Sequence, residues 1–254
     1  MKSIYTVLSA VMLILLMSFT TWAQNDRYQL YVVHEDHIKD GKMDQHHKGD
    51  MDIVKAAKAN NMKGMNWITF VADDGRVMYL SPIKNMGELD NNPFGDLEKK
   101  MGKEEFDKLF DSYDGTYSKH GDYILRLDNE LSYMPDGMTT TPEGENYRRL
   151  VFYHIPPEHA EKAEEIAREA KKLYTDKNAK SHYRVYKSGF GNMGSFFMVA
   201  ASAKSEQEMN SKREETKNLL GKEGETLRKK IEDTFTDIEV VTGHIKPELS
   251  YVQN

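Results

Sequence analysis

The chain has 254 residues, with 35 Lys+Arg against 41 Asp+Glu, a net charge of −6 and no cysteine. The absent thiol excludes thiol catalysis, Cys-ligated zinc, iron–sulfur clusters and haem attached through cysteine. Acidic overall, with Lys and Arg scattered rather than clustered, the chain has no use for a phosphate backbone, so nucleic acid is excluded as a partner.

Residues 1–23 read as an export signal. Lys2 gives a short positive start, Val7 to Phe19 is almost wholly apolar, and Thr21-Trp22-Ala23 ends on a small residue before Gln24. An apolar run of about 13 residues is short of the roughly 20 that cross a bilayer as a helix, so no stable membrane anchor is expected once the signal is cleaved. The mature chain, at 34 Lys+Arg against 41 Asp+Glu, then carries −7 and is expected in the periplasm or outside the cell.

The first strand is predicted over Tyr28–Val33, followed by a helix from about Gln45 to Asn61 and a strand over Asn66–Ala72. Asp73-Asp74-Gly75 then separates this strand from Arg76–Leu80, and Asp-Gly between two β-rich runs signals a hairpin. Phe94 to Tyr113 places Leu97, Met101, Phe106 and Phe110 at helical spacing, and Tyr123–Leu127 reads as a fourth strand. Residues 134–146, rich in Pro, Gly, Thr and Glu, read as a linker.

Beyond it the same string returns. Arg148–His154 is a strand, Pro156-Pro157 opens a helix, and Ala163, Ile166, Ala170 and Leu173 give that helix one buried face. Strands His182–Lys187 and Ser195–Ala201 follow, then a helix entered through the capping pair Ser205 and Glu208, then a strand over Ile238–His244. Gly189-Phe190-Gly191-Asn192-Met193-Gly194 matches the G-x-G-x-x-G pattern, but a strand follows where a dinucleotide site needs a helix, so it reads as a hairpin loop.

Two short matches make the repetition explicit. Glu130-Leu131-Ser132-Tyr133 returns 118 positions on as Glu248-Leu249-Ser250-Tyr251, and Met101-Gly102-Lys103-Glu104 returns 119 positions on as Leu220-Gly221-Lys222-Glu223. Residues about 27–133 and 146–251 therefore read as copies of one βαββαβ unit, the ferredoxin-like order. The predicted organisation is a signal at 1–23, a first repeat at 24–133, a linker at 134–146 and a second repeat at 147–254. The fold class is α+β. Each unit leaves one sheet face bare, and the sibling sheet on the same chain is the expected cover.

A duplicated ferredoxin-like unit of this size resembles the dimeric α/β-barrel superfamily, in a tandem fused form similar to the antibiotic-biosynthesis monooxygenases and the NIPSNAP group. The resemblance rests on element order and carries no catalytic signature. It implies a cavity between the halves, and among cofactors haem is the one it allows; none is assigned.

Candidate ligand contacts are His34 and His154, at matched ends of the first strands; Arg126 and His244, aligned by the repeated Glu-Leu-Ser-Tyr; Trp67; and His182. The stretch from His34 to Asp52, dense in His and Asp, reads as a solvated approach to a helix, and no metal is assigned. The expected function is binding of a small apolar or aromatic ligand between the halves of a monomeric pseudo-dimer. Two alternatives stand beside it: a monooxygenase-like or haem-dependent oxidoreductase, which needs His154, His182 or His244 facing a closed cavity, and a protein-interaction module.

Overall fold

The computed structural model describes residues 27–252, and the predicted export segment at 1–23 lies outside them. The strands are β1 (Tyr28–Ile38), β2 (Ile68–Ala72), β3 (Arg76–Ile83), β4 (Tyr117–Tyr133), β5 (Tyr147–Ile155), β6 (Tyr183–Ser188), β7 (Ser195–Ala203) and β8 (Asp237–Ile245). The α-helices are α1 (Met43–Ala59), α2 (Gly95–Met101), α3 (Lys103–Asp111), α4 (Ala160–Asp176) and α5 (Glu206–Thr234).

The strands form a closed antiparallel barrel in the order β1-β3-β2-β8-β5-β7-β6-β4, with β4 returning to β1. The first four strands stand as β4-β1-β3-β2 and the last four as β8-β5-β7-β6, and the two runs join edge to edge at β2–β8 and β4–β6. Closure leaves no free strand edge. The inner faces of both runs meet in one core, where Tyr31, Val33, Leu125, Phe152 and Met198 are buried together.

The strands are covered on both sides, which explains their near-continuous apolar runs. In β7, Phe196 and Met198 point into the barrel while Phe197 faces outward to Ile166, Leu220 and Leu227 of the helical layer. On the other side of the molecule Ile53, Val54 and Leu97 pack with Trp67.

Both repeated tetrapeptides have a structural cause. The predicted helix over 94–113 is broken at Gly102, whose φ of +84° no helix interior accepts, and α5 is kinked at the matching Gly221, with φ of +51°. The Glu-Leu-Ser-Tyr copies act as latches between the halves. Ser132 Oγ donates to the Asp128 carbonyl (2.7 Å) and accepts from the Val185 amide (2.9 Å) in β6. Ser250 Oγ donates to the Lys246 carbonyl (2.7 Å) and accepts from the Thr69 amide (2.9 Å) in β2. Tyr133 and Tyr251 donate their hydroxyls to the Ala179 and Met62 carbonyls in the same crosswise manner. The predicted fourth strand, Tyr123–Leu127, extends to 17 residues because it pairs with β1 along one edge and β6 along the other.

Candidate functional site

One end of the barrel contains a cavity of about 40 Å³. Ile68, Phe70, Met78, Leu80 and Met198 make most of its wall apolar. Two arginines interrupt that wall. Arg148 on β5 and Arg184 on β6 stand on either side of β7, opposite Ser202 and Ala200, and both are almost wholly buried.

Their hydrogen bonds go to neutral groups. Arg148 donates to the carbonyls of Glu145, Tyr147 and Thr140, the last at 3.1 Å. Arg184 donates to the Thr139 carbonyl at 2.9 Å and more weakly to Ala200 and Ser202, and its buried Nε has no partner. Neither forms an ion pair with a carboxylate among the described residues. The nearest acid, Glu145, gives its carboxylate to Ser202 Oγ (3.0 Å) and Lys212 Nζ (2.9 Å). Burial first, and the neighbouring Arg184 second, push the Arg148 guanidinium down to about 10. Two buried cations side by side without a counter-ion are costly, since desolvation is not offset by pairing. Such a pair favours an anion in the cavity beside it.

Two phenols complete the site. Tyr31 and Tyr186 meet edge to face with ring centroids 6.0 Å apart, and burial raises both above the ordinary tyrosine value. Thr139 and Thr140, whose carbonyls cap the arginines, belong to the predicted linker at 134–146, so this segment forms the roof of the site.

None of the six residues singled out in the sequence lines the cavity. Strand alternation accounts for most of them. His34 shares a face with Asp36, opposite to that of Tyr31 and Val33, and so lies outside the barrel, with Nδ1 2.9 Å from Asp122. Burial would lower its pKa, but the Asp36 and Asp122 carboxylates hold it up at about 9. Arg126 and His244 occupy matched outer positions at the two seams, Arg126 opposite Lys187 and His244 opposite Val71. Trp67 is buried under the first helical layer, stacks on Tyr251 and donates Nε1 to the Leu249 carbonyl at 2.9 Å. His154 sits six residues along β5 from Arg148, against Phe196. His182 precedes β6, 3.7 Å from Asp136. The signal that marks the arginines instead is parity, because Arg148 shares a face with the core residues Leu150 and Phe152, and Arg184 with Tyr186.

No family model matches the sequence, and no curated protein is similar to it at the sequence level. Solved structures are similar in fold. An anthrone oxidase-like protein aligns over 88% of this chain and 93% of its own at a TM-score of 0.58 and 10% identity. A candidate monooxygenase from Fusobacterium nucleatum aligns over 89% and 99% at 0.52 and 10% identity. The fold is that of the dimeric α/β-barrel proteins. A mutant chlorite dismutase from Candidatus Nitrospira defluvii aligns over 86% and 92% at a TM-score of 0.47 and 8% identity.

Haem, the cofactor allowed by the resemblance, does not fit the barrel. Small-molecule pockets run to about 300–1,000 Å³, the cavity here is about 40 Å³, and no histidine lines it.

Proposed function

We propose that this protein is an exported, tandem ferredoxin-like α/β barrel that binds a small carboxylate with an apolar or aromatic body between its two halves. The observation that carries this reading is the unpaired arginine couple at the cavity. Arg148 and Arg184 would take the carboxylate, a planar anion that suits the guanidinium fork. Ile68, Leu80 and Ile245 would take the apolar body. The cavity of about 40 Å³ would take the anionic head, and entry of the body would require the Thr139–Thr140 roof to lift. With both halves on one chain, the proposed site would need no second copy.

The test is thermal unfolding of the mature chain with benzoate and with benzamide. Benzoate is expected to raise the midpoint and benzamide to leave it unchanged, with the benzoate effect absent in Arg184→Met. Equal effects of the two compounds, or a benzoate effect that survives the substitution, would reject the site. N-terminal sequencing of secreted material, expected to begin at Gln24, tests export.

A second reading is oxidation of a phenolic ligand, favoured by the fold similarity to the anthrone oxidase-like protein. Ligand-dependent oxygen uptake by the purified chain distinguishes turnover from binding.

A further inference from the structure

A second cluster lies outside the barrel, on the opposite face of β1 from the core. β1 and β4 run side by side with His34 opposite Asp122 and Asp36 opposite His120. All four side chains therefore share one patch, and three of them converge. A His34 nitrogen, an Asp36 oxygen and a His120 nitrogen lie within 4.8 Å of one another. His34 Nε2 is 3.3 Å from Asp36 Oδ1, and His120 Nδ1 is 4.0 Å from the same oxygen.

The carboxylate at the centre is the telling part. Asp36 is 3% exposed, and its Oδ1 has the His34 ring as an ion-pair contact but no well-formed hydrogen bond. Its other oxygen, Oδ2, is held by His46 Nε2 at 3.1 Å, which fixes the carboxylate and aims Oδ1 at the two imidazoles.

We infer that His34, Asp36 and His120 bind a divalent first-row transition metal ion, zinc or iron(II). Two imidazoles and one carboxylate with open positions are a donor set suited to those ions. Ligand atoms around a tetrahedral ion with bonds of about 2.1 Å stand roughly 3.4 Å apart, close to the His34–Asp36 separation. His120, 55% exposed and stacked on Tyr117, closes the remaining gap by a swing of its ring. That exposed side also leaves room for water on the metal. The supporting contacts are those a metal-bound imidazole needs: His34 turns its other nitrogen to Asp122 at 2.9 Å, fixing tautomer and orientation.

The experiment uses the mature chain stripped with a chelator and titrated with cobalt(II), followed by its visible absorption, with zinc as competitor. One equivalent of cobalt should bind, develop visible bands and be displaced by zinc. His120→Ala, an exposed position where folding is retained, should weaken binding at least tenfold. Asp122→Asn, which removes only the support of His34, should weaken it by about 10–100-fold while keeping the bands. No saturable uptake, or a loss smaller than tenfold in His120→Ala, overturns the assignment.

Discussion

Ser132 and Val185 stand 53 positions apart in different halves of the chain, yet the Val185 amide donates to Ser132 Oγ at 2.9 Å. The same bond recurs between Thr69 and Ser250. Each serine replaces the ladder partner that a register shift between Asp128 and Tyr133, or the end of β8, takes away. Ser132→Ala should cost about 1–3 kcal/mol because it strands a buried amide. Ser250→Ala should cost about as much, and the double variant should sum the two, since the latches share no partner. Urea unfolding of the three variants checks this.

The cavity arginines predict a separation of ligand response from folding. With a carboxylate at 100 times its Kd, the wild-type chain should gain about 2.7 kcal/mol. Arg184→Met and Arg148→Met should gain nothing, while remaining folded without ligand, because each removes one of two uncompensated buried charges. Chemical unfolding with and without benzoate measures both quantities.

Acid should weaken the chain through Glu164. Its hydrogen bond from Lys187, and next the opposing effect of burial and the bond from Arg27, leave it at about 2, below the ordinary 4.5. A carboxyl depressed in the folded state contributes stability above its unfolded value and loses it as pH falls. The contribution should therefore be complete above pH 4.5 and decline toward pH 2. Glu164→Gln should flatten the stability profile in that window, and a profile identical to wild type would remove Glu164 from the account.

The β2–β8 seam depends on a missing side chain. A Cβ on Gly243 would meet the Val71 carbonyl oxygen at 2.2 Å and Ala72 Cα at 2.7 Å, both backbone atoms that cannot step aside. Gly243→Ala should cost roughly 3 kcal/mol or more, at the upper end of overpacking effects, and should raise hydrogen exchange in β2 and β8 above that elsewhere in the barrel.

Element order, the Asp-Gly hairpin, the capping serine before α5 and the loop character of the G-x-G-x-x-G run were all legible in the residues, because each is a local choice. The joining of the sheet edges was not. Pairing of β2 with β8 and of β4 with β6 is a relation between distant edges, which no local pattern encodes. His120 carries no signal of its own for the same reason: β4 begins at Tyr117, six residues before the run of β-prone residues, because β1 offers it a partner. The arginine pair is legible in the residues, since Arg148 shares a strand face with Leu150 and Phe152, and Arg184 with Tyr186.

The crosswise serines also bear on how such a protein comes apart. Neither half closes its own second strand; the tail of one half does that for the other. A chain cut within 134–146 would yield two fragments, each with two unguarded strand edges and each carrying the piece its counterpart lacks. They would be insoluble apart and soluble together, so the linker, besides roofing the arginines, guarantees that the two pieces meet.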